Sequence, residues 1–263
     1  MANGECVQAV RRLVAERQTL HERNAGRERT ILCFGDSNTW GYPPGGGERL
    51  PRDIRWPGAL QRLLGKGYHV IEEGLNGRTA TVEHPWVEGR SGRPYLLPCC
   101  RSHAPLDLVI IYLGTNDLAD RYQFSAADIA QACASLVRVV RAADCGRGSA
   151  TPPVLFVCPP PLRASGPDAT EYEAAAAKSR TLGVRFADAA EAVGAELLDL
   201  DGVVRYSEED PLHLDADGHR ALAEAVEPLA RRLAPQPALT VARRGLRLYD
   251  CDGTSSPCSR EAI

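Results

Sequence analysis

Two features that would suggest a membrane protein or a nucleic-acid-binding protein are missing from this sequence of 263 residues. No apolar run approaches the roughly 20 residues that a membrane-spanning helix needs, and residues 1–29 contain no apolar core of the kind found in signal peptides. The formal net charge of −3 supplies no basic surface for nucleic acid or anionic lipid. The sequence therefore predicts a cytoplasmic protein that binds neither nucleic acid nor a membrane.

Metal-binding and disulfide patterns are also missing, although the chain has nine cysteines. None forms a C-x-x-C pair, and we find no histidine at zinc-ligand spacing from a cysteine. Cys33 and Cys158 lie within apolar runs, where we expect them to be buried as small hydrophobic residues. The adjacent Cys99 and Cys100 are expected in a loop. The sequence predicts neither a metal site nor a disulfide framework.

What the sequence does contain is ordinary globular material, with 44% hydrophobic and 25% charged residues. Continuously apolar stretches, typical of parallel strands covered on both faces, occur at 30–34, 68–72, 107–113, 154–158 and 195–199. Helix-like stretches alternate with them at 56–65, 125–143, 171–193 and 215–233. This alternation predicts a parallel sheet with right-handed crossovers. The expected fold class is α/β, a three-layer α/β/α sandwich around a central five-stranded parallel sheet.

The same pattern predicts one domain over residues 29–234. Residues 1–28 form a polar extension with a helical stripe at 5–23, and residues 235–263 form a polar tail that we expect to be largely disordered. The longest stretch without periodicity is 83–105, which contains four prolines. We interpret it as a loop, and its length would allow it to lie in the interface of a homo-oligomer.

Ser37 follows the first predicted strand, within the segment Gly35-Asp36-Ser37-Asn38. A turn at the carboxyl end of that strand would expose its hydroxyl at the edge where open α/β sheets bind ligands. A serine hydroxyl becomes a nucleophile when a neighbouring base accepts its proton. Taken alone, Ser37 is more readily explained as a helix N-cap. We expect Asp36 to brace the turn.

Gly77 and Asn116 follow the second and third predicted strands. Acyl transfer passes through a tetrahedral oxyanion that needs preorganised hydrogen-bond donors. A glycine allows close approach of its N–H, and an asparagine offers an amide NH₂. Each is an ordinary turn residue in isolation, but the carboxyl ends of parallel strands bring these positions to one edge with Ser37. Asp117 is expected to brace its loop.

Asp210 and His213 follow the fifth predicted strand and precede the last helix. Three residues apart in a turn, the carboxylate can accept a hydrogen bond from imidazole Nδ1 and leave Nε2 free to face Ser37. An exposed loop pair is the alternative reading. His219 competes for the role of base, but its place inside the predicted helix favours packing or capping.

These four blocks resemble the SGNH or GDSL hydrolase superfamily, whose four name-giving residues match Ser37, Gly77, Asn116 and His213. Segments similar to its arylesterase and acyltransferase branch lie at 31–41, 70–75, 95–99, 106–117 and 154–162. The resemblance covers about residues 29–233. It departs from many relatives at Asn38, where they carry leucine, and at Asn76, a polar neighbour of Gly77.

The resemblance implies a flavodoxin-like fold and a serine esterase that forms an acyl-enzyme on Ser37, with Asp210 and His213 completing a triad. The N–H groups of Ser37 and Gly77 and the side chain of Asn116 would form the oxyanion hole. It implies no metal or organic cofactor, a small carboxylic ester as substrate, and water or an alcohol as acyl acceptor. Some members of the superfamily are acyltransferases or use peroxide as the acceptor.

A shallow apolar pocket is expected beside Ser37. Trp40 follows Ser37 by three positions, so one helical turn would bring its ring to the site. The substrate-pocket candidates are Asn38, Trp40, Tyr95 and Leu212, with Tyr42 and Trp86 as further aromatic candidates.

Three other functions are compatible with parts of the sequence. A carbohydrate O-acetyl esterase would use the same catalytic residues, and Asn38 and the aromatic loops would suit a sugar. A binding module that kept the fold without the chemistry is a non-enzymatic alternative, which the complete set of catalytic residues argues against. A metallophosphoesterase needs clustered ligands, and the six histidines are scattered along the chain.

Overall fold

The computed structural model describes residues 28–163 and 169–236. The helix expected at 5–23 lies outside these residues, as does the tail beyond 236. No helix in the described ranges is long and apolar enough to span a bilayer.

The central sheet has five parallel strands in the order β2-β1-β3-β4-β5. The strands are β1 Arg29–Gly35, β2 Tyr68–Gly74, β3 Leu108–Tyr112, β4 Val154–Cys158 and β5 Glu196–Asp199. Every residue of β3 and β4 is buried, whereas the edge strands β2 and β5 are partly exposed. Helices flank the sheet, and the predicted three-layer fold with five parallel strands is confirmed.

The helices are α1 Ser37–Trp40, α2 Trp56–Leu64, α3 Gly92–Ser102, α4 Ala126–Arg141, α5 Ala169–Ser179, α6 Leu182–Val193 and α7 Ala216–Leu233. Helices α2 and α7 pack against each other, and α4 packs against both α3 and α6. Amphipathic faces explain this packing: along α4 the buried residues recur at helical spacing. A capping box at Ser125 and Asp128 fixes where α4 begins.

The register of the sheet aligns the ends of its three strands nearest the site. Gly35 pairs with Gly74 of β2 and with Tyr112 of β3. The turns that follow β1, β2 and β3 therefore begin at one level on one edge. This edge is where the sequence places Ser37, Gly77 and Asn116.

One prediction was wrong in the segment 83–105, which contains helix α3 rather than a continuous loop. Its prolines masked the helical pattern. Pro94 lies near the beginning of α3. Pro98, four residues later, removes a single backbone hydrogen bond from the helix. Leu96 and Cys100 are both buried at helical spacing, so packing outweighs the cost of Pro98.

The predicted single helix over 171–193 is also wrong, because it is divided into α5 and α6. Two hydroxyls at the junction donate to backbone carbonyls three residues earlier: Ser179 to Ala176 at 2.8 Å and Thr181 to Lys178 at 2.8 Å. Such local bonds compete with the helical pattern. The prediction that Cys33 and Cys158 are buried is confirmed, and both are fully inaccessible.

Candidate active site

The turn after β1 is tight because Gly35 has no side chain. A Cβ there would lie 2.1 Å from Thr39 Oγ1 and 2.8 Å from the carbonyl oxygen of Tyr112. Asp36 then caps helix α1, its Oδ1 accepting the N–H of Asn38 at 2.9 Å. Ser37 is the first residue of α1 and is 6% exposed.

Ser37, His213 and Asp210 form a continuous hydrogen-bonded chain. Ser37 Oγ lies 3.0 Å from His213 Nε2, and His213 Nδ1 lies 2.6 Å from Asp210 Oδ2. Asp210 Oδ1 accepts the N–H of Leu212 at 2.7 Å and that of His213 at 3.2 Å. The carboxylate therefore orients both the imidazole ring and the loop that carries it.

The electrostatics of Asp210 favour its ionised form. Burial acts to raise the pKa of its carboxyl, but the hydrogen bond and charge of His213 and the N–H of Leu212 outweigh burial, so the pKa is below its ordinary value. A carboxylate that stays ionised holds the Nδ1–H tautomer of the imidazole. Nε2 is then the atom that can accept a proton from Ser37.

Asn38 holds the loop of His213 from both sides. Its Nδ2 donates to the carbonyl of Leu212 at 2.9 Å, and its Oδ1 accepts the N–H of Leu214 at 3.0 Å. The side chain is fully buried, so it does not form the pocket wall expected from the sequence. The amide instead ties the residue after the candidate nucleophile to the two residues that flank the candidate base.

Gly77 and Asn116 face the same cavity as Ser37. Gly77 has a φ of +70°, a conformation that glycine adopts without strain. Asn116 Nδ2 donates to the carbonyl of Arg78 at 3.0 Å, which fixes the amide next to Gly77. An amide nitrogen carries two hydrogens, so its second N–H can serve a ligand.

The cavity has a volume of about 350 Å³. Of the predicted pocket residues, Leu212 and Tyr42 line it, and the ring of Tyr42 lies 4.6 Å from that of His213. Lining residues that sequence reasoning did not assign to the pocket are Gly45, Gly46, Asn76, Thr115 and Glu209. Their positions in the sequence could have indicated them, because each lies in the glycine-rich loop after α1 or next to a predicted site residue.

The other aromatic candidates lie away from this cavity. Trp40 packs beside Tyr42 and under the guanidinium of Arg49, 4.8 Å from the ring centroid. Tyr95 faces a second cavity, and Trp86 is 82% exposed. The structure does not bring Trp40 into the lining of the cavity of Ser37, because its ring packs against Tyr42 and Arg49 instead.

His219 lies on the buried face of α7 and is not placed to act as the base. Its Nδ1 accepts the backbone N–H of Trp56 at 3.2 Å, which fits the packing role expected from the sequence. Burial lowers the pKa of its imidazole to about 4.

Two buried carboxyls support the turns around the site. Asp117 accepts the N–H of Ala80 through both oxygens, at 3.0 and 3.2 Å, and so ties the turn after β3 to the segment that follows Gly77. Burial raises the pKa of Asp117 to about 7 and that of Asp36 to about 6. Both carboxyls thus brace the loops, as the sequence predicts.

Comparison with known proteins places this chain in a family. The profile of the GDSL-like lipase/acylhydrolase family matches residues 33–221. A solved aryl esterase from M. smegmatis is 36% identical, with a TM-score of 0.74, over 78% of this chain and 99% of its own. Est24, a carbohydrate acetylesterase from Sinorhizobium meliloti, is 35% identical, with a TM-score of 0.74, over 78% of this chain and all of its own, 100%. Comparison with curated proteins gave no match.

More distant structures agree in fold. A member of the lipolytic G-D-S-L family from Veillonella parvula is 16% identical with a TM-score of 0.56, over 78% of this chain and 100% of its own. The parallel three-layer fold and the close relatives define the class as an SGNH-type hydrolase. The chain belongs to the GDSL-like lipase/acylhydrolase family. It is a carboxylic ester hydrolase.

Proposed function

We propose that this esterase cleaves short-chain acyl or aryl esters through an acyl-enzyme on Ser37. The observation that carries the proposal is the hydrogen-bonded chain from Ser37 Oγ to His213 Nε2, 3.0 Å, and from His213 Nδ1 to Asp210, 2.6 Å. A nucleophile, a base and an orienting carboxylate in this order can activate a serine hydroxyl.

In the acylation half, Ser37 Oγ attacks the ester carbonyl carbon while His213 Nε2 accepts the hydroxyl proton. The tetrahedral intermediate collapses, the C–O bond to the leaving alcohol breaks, and His213 returns the proton to the alcohol oxygen. In the deacylation half, water attacks the acyl-enzyme and gives its proton to His213. The carboxylic acid leaves, and Ser37 regains its proton.

The charge that develops on the carbonyl oxygen would be stabilised by donors at the ends of β1, β2 and β3. We assign this role to the N–H groups of Ser37 and Gly77 and to the Asn116 amide. All three residues line the same cavity. Removal of one such donor typically costs about 10²–10³ in rate.

The size of the cavity favours a small acyl group. At about 350 Å³, it lies near the lower end of the roughly 300–1,000 Å³ range of ligand pockets. We therefore infer that acetyl to butyryl esters are better substrates than octanoyl esters. An alcohol that replaces water in the deacylation half would receive the acyl group, so acyl transfer remains part of the proposal.

The polar lining favours a second candidate substrate class, carbohydrate acetates. Asn76, Thr115 and Glu209 offer hydrogen-bonding groups around the candidate nucleophile, as recognition of sugar hydroxyls would require. The 35% identity to Est24 supports the same class. The cytoplasmic location and the homo-oligomer stay predictions from the sequence.

The test is a series of p-nitrophenyl esters from acetate to octanoate, together with acetylated xylan, on the wild type, Ser37→Ala and Ser91→Ala. Ser91 is the matched control because both serines are 6% exposed and Ser91 lies outside the cavity of Ser37. We expect Ser37→Ala to lose roughly 10⁴–10⁶ in rate and Ser91→Ala to keep activity.

The substrate series then separates the two classes. Faster turnover of p-nitrophenyl acetate than of xylan acetate would support the aryl ester assignment, and the reverse order would support the carbohydrate one. A Ser37→Ala variant that keeps a tenth of the wild-type rate would overturn the acyl-enzyme proposal. If a well-folded wild type turned over no ester, the short-acyl proposal would be contradicted. The likeness to the family would then describe the fold alone.

A further inference from the structure

Three side chains with polar or ionisable groups lie on the face of helix α3 that is turned towards the end of β2, away from Ser37. Tyr95, Cys99 and His103 are four residues apart, and the turn extends to His103, whose N–H donates to the Cys99 carbonyl at 3.1 Å. Glu73, near the end of β2, lies opposite this face. His103 Nε2 lies 2.8 Å from Glu73 Oε1, and the Tyr95 hydroxyl donates to Glu73 Oε2 at 3.1 Å.

We propose that Glu73, Cys99 and His103 bind a divalent cation with affinity for thiolate, such as Zn²⁺. One ligand atom from each residue, an oxygen, a sulfur and a nitrogen, lies within 4.8 Å of the other two. Carboxylate, thiolate and imidazole are the ligands that zinc takes in proteins. Nothing in the proposed ester hydrolysis uses these residues, so the proposal stands apart from that function.

The distances require only a small adjustment. Zinc lies about 2.0–2.3 Å from its ligand atoms, so ligands in a tetrahedral site are roughly 3–4 Å from one another. The hydrogen bond between Glu73 and His103 would open slightly, and Cys99 would approach both. The hydroxyl of Tyr95 would continue to orient the Glu73 carboxylate, as groups around metal ligands commonly do.

Access and charge are also compatible with a cation. Cys99 is 2% exposed, while the side chains of His103 and Glu73 are 31% and 20% exposed, which leaves an open side for a water as fourth ligand. Binding would release the Cys99 thiol proton, and neutral His103 would coordinate through Nε2. One thiolate and one carboxylate then balance the two positive charges.

Arg78 is the neighbouring cation that opposes such binding. Its Nη1 donates to the backbone carbonyls of Gly35 and Glu73. Its guanidinium lies over the rings of Phe34 and Tyr95, at 4.2 and 5.4 Å from their centroids. The hydrogen bonds of the guanidinium therefore go to carbonyls, and the hydrogen-bond partners of the Glu73 carboxylate are His103, Tyr95 and the Cys99 thiol.

Sequence reasoning missed this cluster because it interpreted 83–105 as a loop. In a loop, the spacing of Cys99 and His103 has no geometric meaning, and we found no histidine at zinc-ligand spacing from a cysteine. In helix α3 that spacing is one turn, so both side chains share a face. The proposed site therefore departs from the sequence expectation at Cys99.

The test is a Co²⁺ titration of the full chain after treatment with a chelator, followed by competition with Zn²⁺. A thiolate bound to Co²⁺ gives a charge-transfer band in the near ultraviolet. The variants are Cys99→Ser, His103→Ala and the control Cys100→Ser, since Cys100 is also buried and adjacent but outside the cluster. Thermal melting without metal verifies that each variant is folded.

We expect one Co²⁺ per chain with the thiolate band in the wild type and in Cys100→Ser, no band in Cys99→Ser, and at least about tenfold weaker binding in His103→Ala. Because His103 is partly exposed, its substitution tests the site even where a buried cysteine variant fails to fold. The proposal is overturned if the wild type gives no band, if Cys99→Ser keeps it, or if His103→Ala binds as tightly as the wild type.

Discussion

At the scale of single residues, Asn38 connects the segments that carry Ser37 and His213, the two ends of the proposed proton path. It follows Ser37 in the chain, and its amide bonds both neighbours of His213. The superfamily resemblance marks this position as a departure from leucine, and the sequence suggested a pocket residue. Full burial and two backbone partners indicate a positioning role, because the amide fixes the distance between Ser37 and His213.

Replacement of Asn38 by leucine tests this role. Asn38→Leu leaves the Leu212 carbonyl and the Leu214 N–H without their partner, at about 1–3 kcal/mol each. A shift of the base by about 1 Å costs on the order of 10²-fold in rate. We expect kcat for p-nitrophenyl acetate to fall about tenfold to a hundredfold with little change in KM.

The control for Asn38→Leu is Thr39→Ala, which removes a buried hydrogen bond one residue away, between Thr39 Oγ1 and Trp56 Nε1 at 3.2 Å. It should lower the melting temperature while kcat stays near that of the wild type. If Asn38→Leu and Thr39→Ala lowered kcat equally, general loosening of α1 would explain the effect and the positioning role would be lost.

Residue types and order were enough to predict which groups meet at the site. Ser37, Gly77, Asn116 and the Asp210–His213 pair each follow a strand of a parallel sheet, and the shared edge brings them together. Side-chain direction was beyond the sequence. Trp40 and Asn38 both follow Ser37 closely, yet where each points depends on how α1 ends and on a loop about 175 residues away.

At the scale of elements, the turns after β1, β2 and β3 decide the geometry of the site. Gly77 has a φ of +70° at the turn after β2. A Cβ on Gly77 would meet only the side chain of Arg90 at 3.6 Å, which is ordinary contact. Substitution there would therefore act through backbone conformation rather than through a clash.

A pair of glycine variants separates strain from function. Gly202 has a φ of +72° in the turn after β5, and a Cβ there would meet nothing within 4 Å. The free energy of unfolding should fall by about 1–2 kcal/mol in both Gly77→Ala and Gly202→Ala, because the Cβ of alanine makes the left-handed backbone conformation unfavourable. Only Gly77→Ala should also lose activity, by roughly a hundredfold, because its N–H would turn from the oxyanion.

Urea unfolding and p-nitrophenyl acetate kinetics on the two glycine variants measure both effects. Equal activity in the two would show that the backbone N–H of Gly77 takes no part in catalysis. The strands were predictable because they are short, continuously apolar runs, and most helices because their buried residues recur at helical spacing. Helix α3 was not, because its two prolines and its packing against α4 involve a tertiary gain that overrides local propensity.

At the scale of the whole molecule, the fold buries carboxyls whose charge it does not compensate with a salt bridge. Asp117 is fully buried beneath the site loops and accepts the N–H of Ala80. Burial raises its pKa from 3.8 to about 7. Between these values the folded protein holds a proton that the unfolded chain releases. The Asp117 carboxyl therefore contributes to the free energy of unfolding. Its contribution is fully present below about pH 4 and is lost as the pH rises through 7.

Asp117→Asn should remove this dependence on pH. Relative to the variant, the wild type should lose up to about 4 kcal/mol of unfolding free energy between pH 4 and pH 8, because one pKa unit corresponds to about 1.4 kcal/mol. The amide oxygen can still accept the Ala80 N–H. Urea unfolding of both proteins at several pH values measures the difference, and His219 and Asp36 are common to both. Parallel curves would contradict a buried, protonated Asp117.

Fold class was predictable at this scale because alternating strands and helices allow few arrangements. The cavity was not, since its wall is assembled from loops such as 42–46 and 209–213 that carry no periodic pattern. Its volume depends on how those loops pack over Ser37, which only the tertiary structure reveals. The proposed substrate class rests on that volume more than on any motif.

Mass spectrometry after inactivation by a fluorophosphonate tests the central claim most directly, because the reagent reacts with an activated serine hydroxyl. We expect one adduct per chain, located on the peptide that contains Ser37. Esterase activity should be lost in proportion to labelling, and His213→Ala should be labelled slowly. An adduct on another residue, or full activity in completely labelled protein, would contradict the claim that Ser37 is the nucleophile.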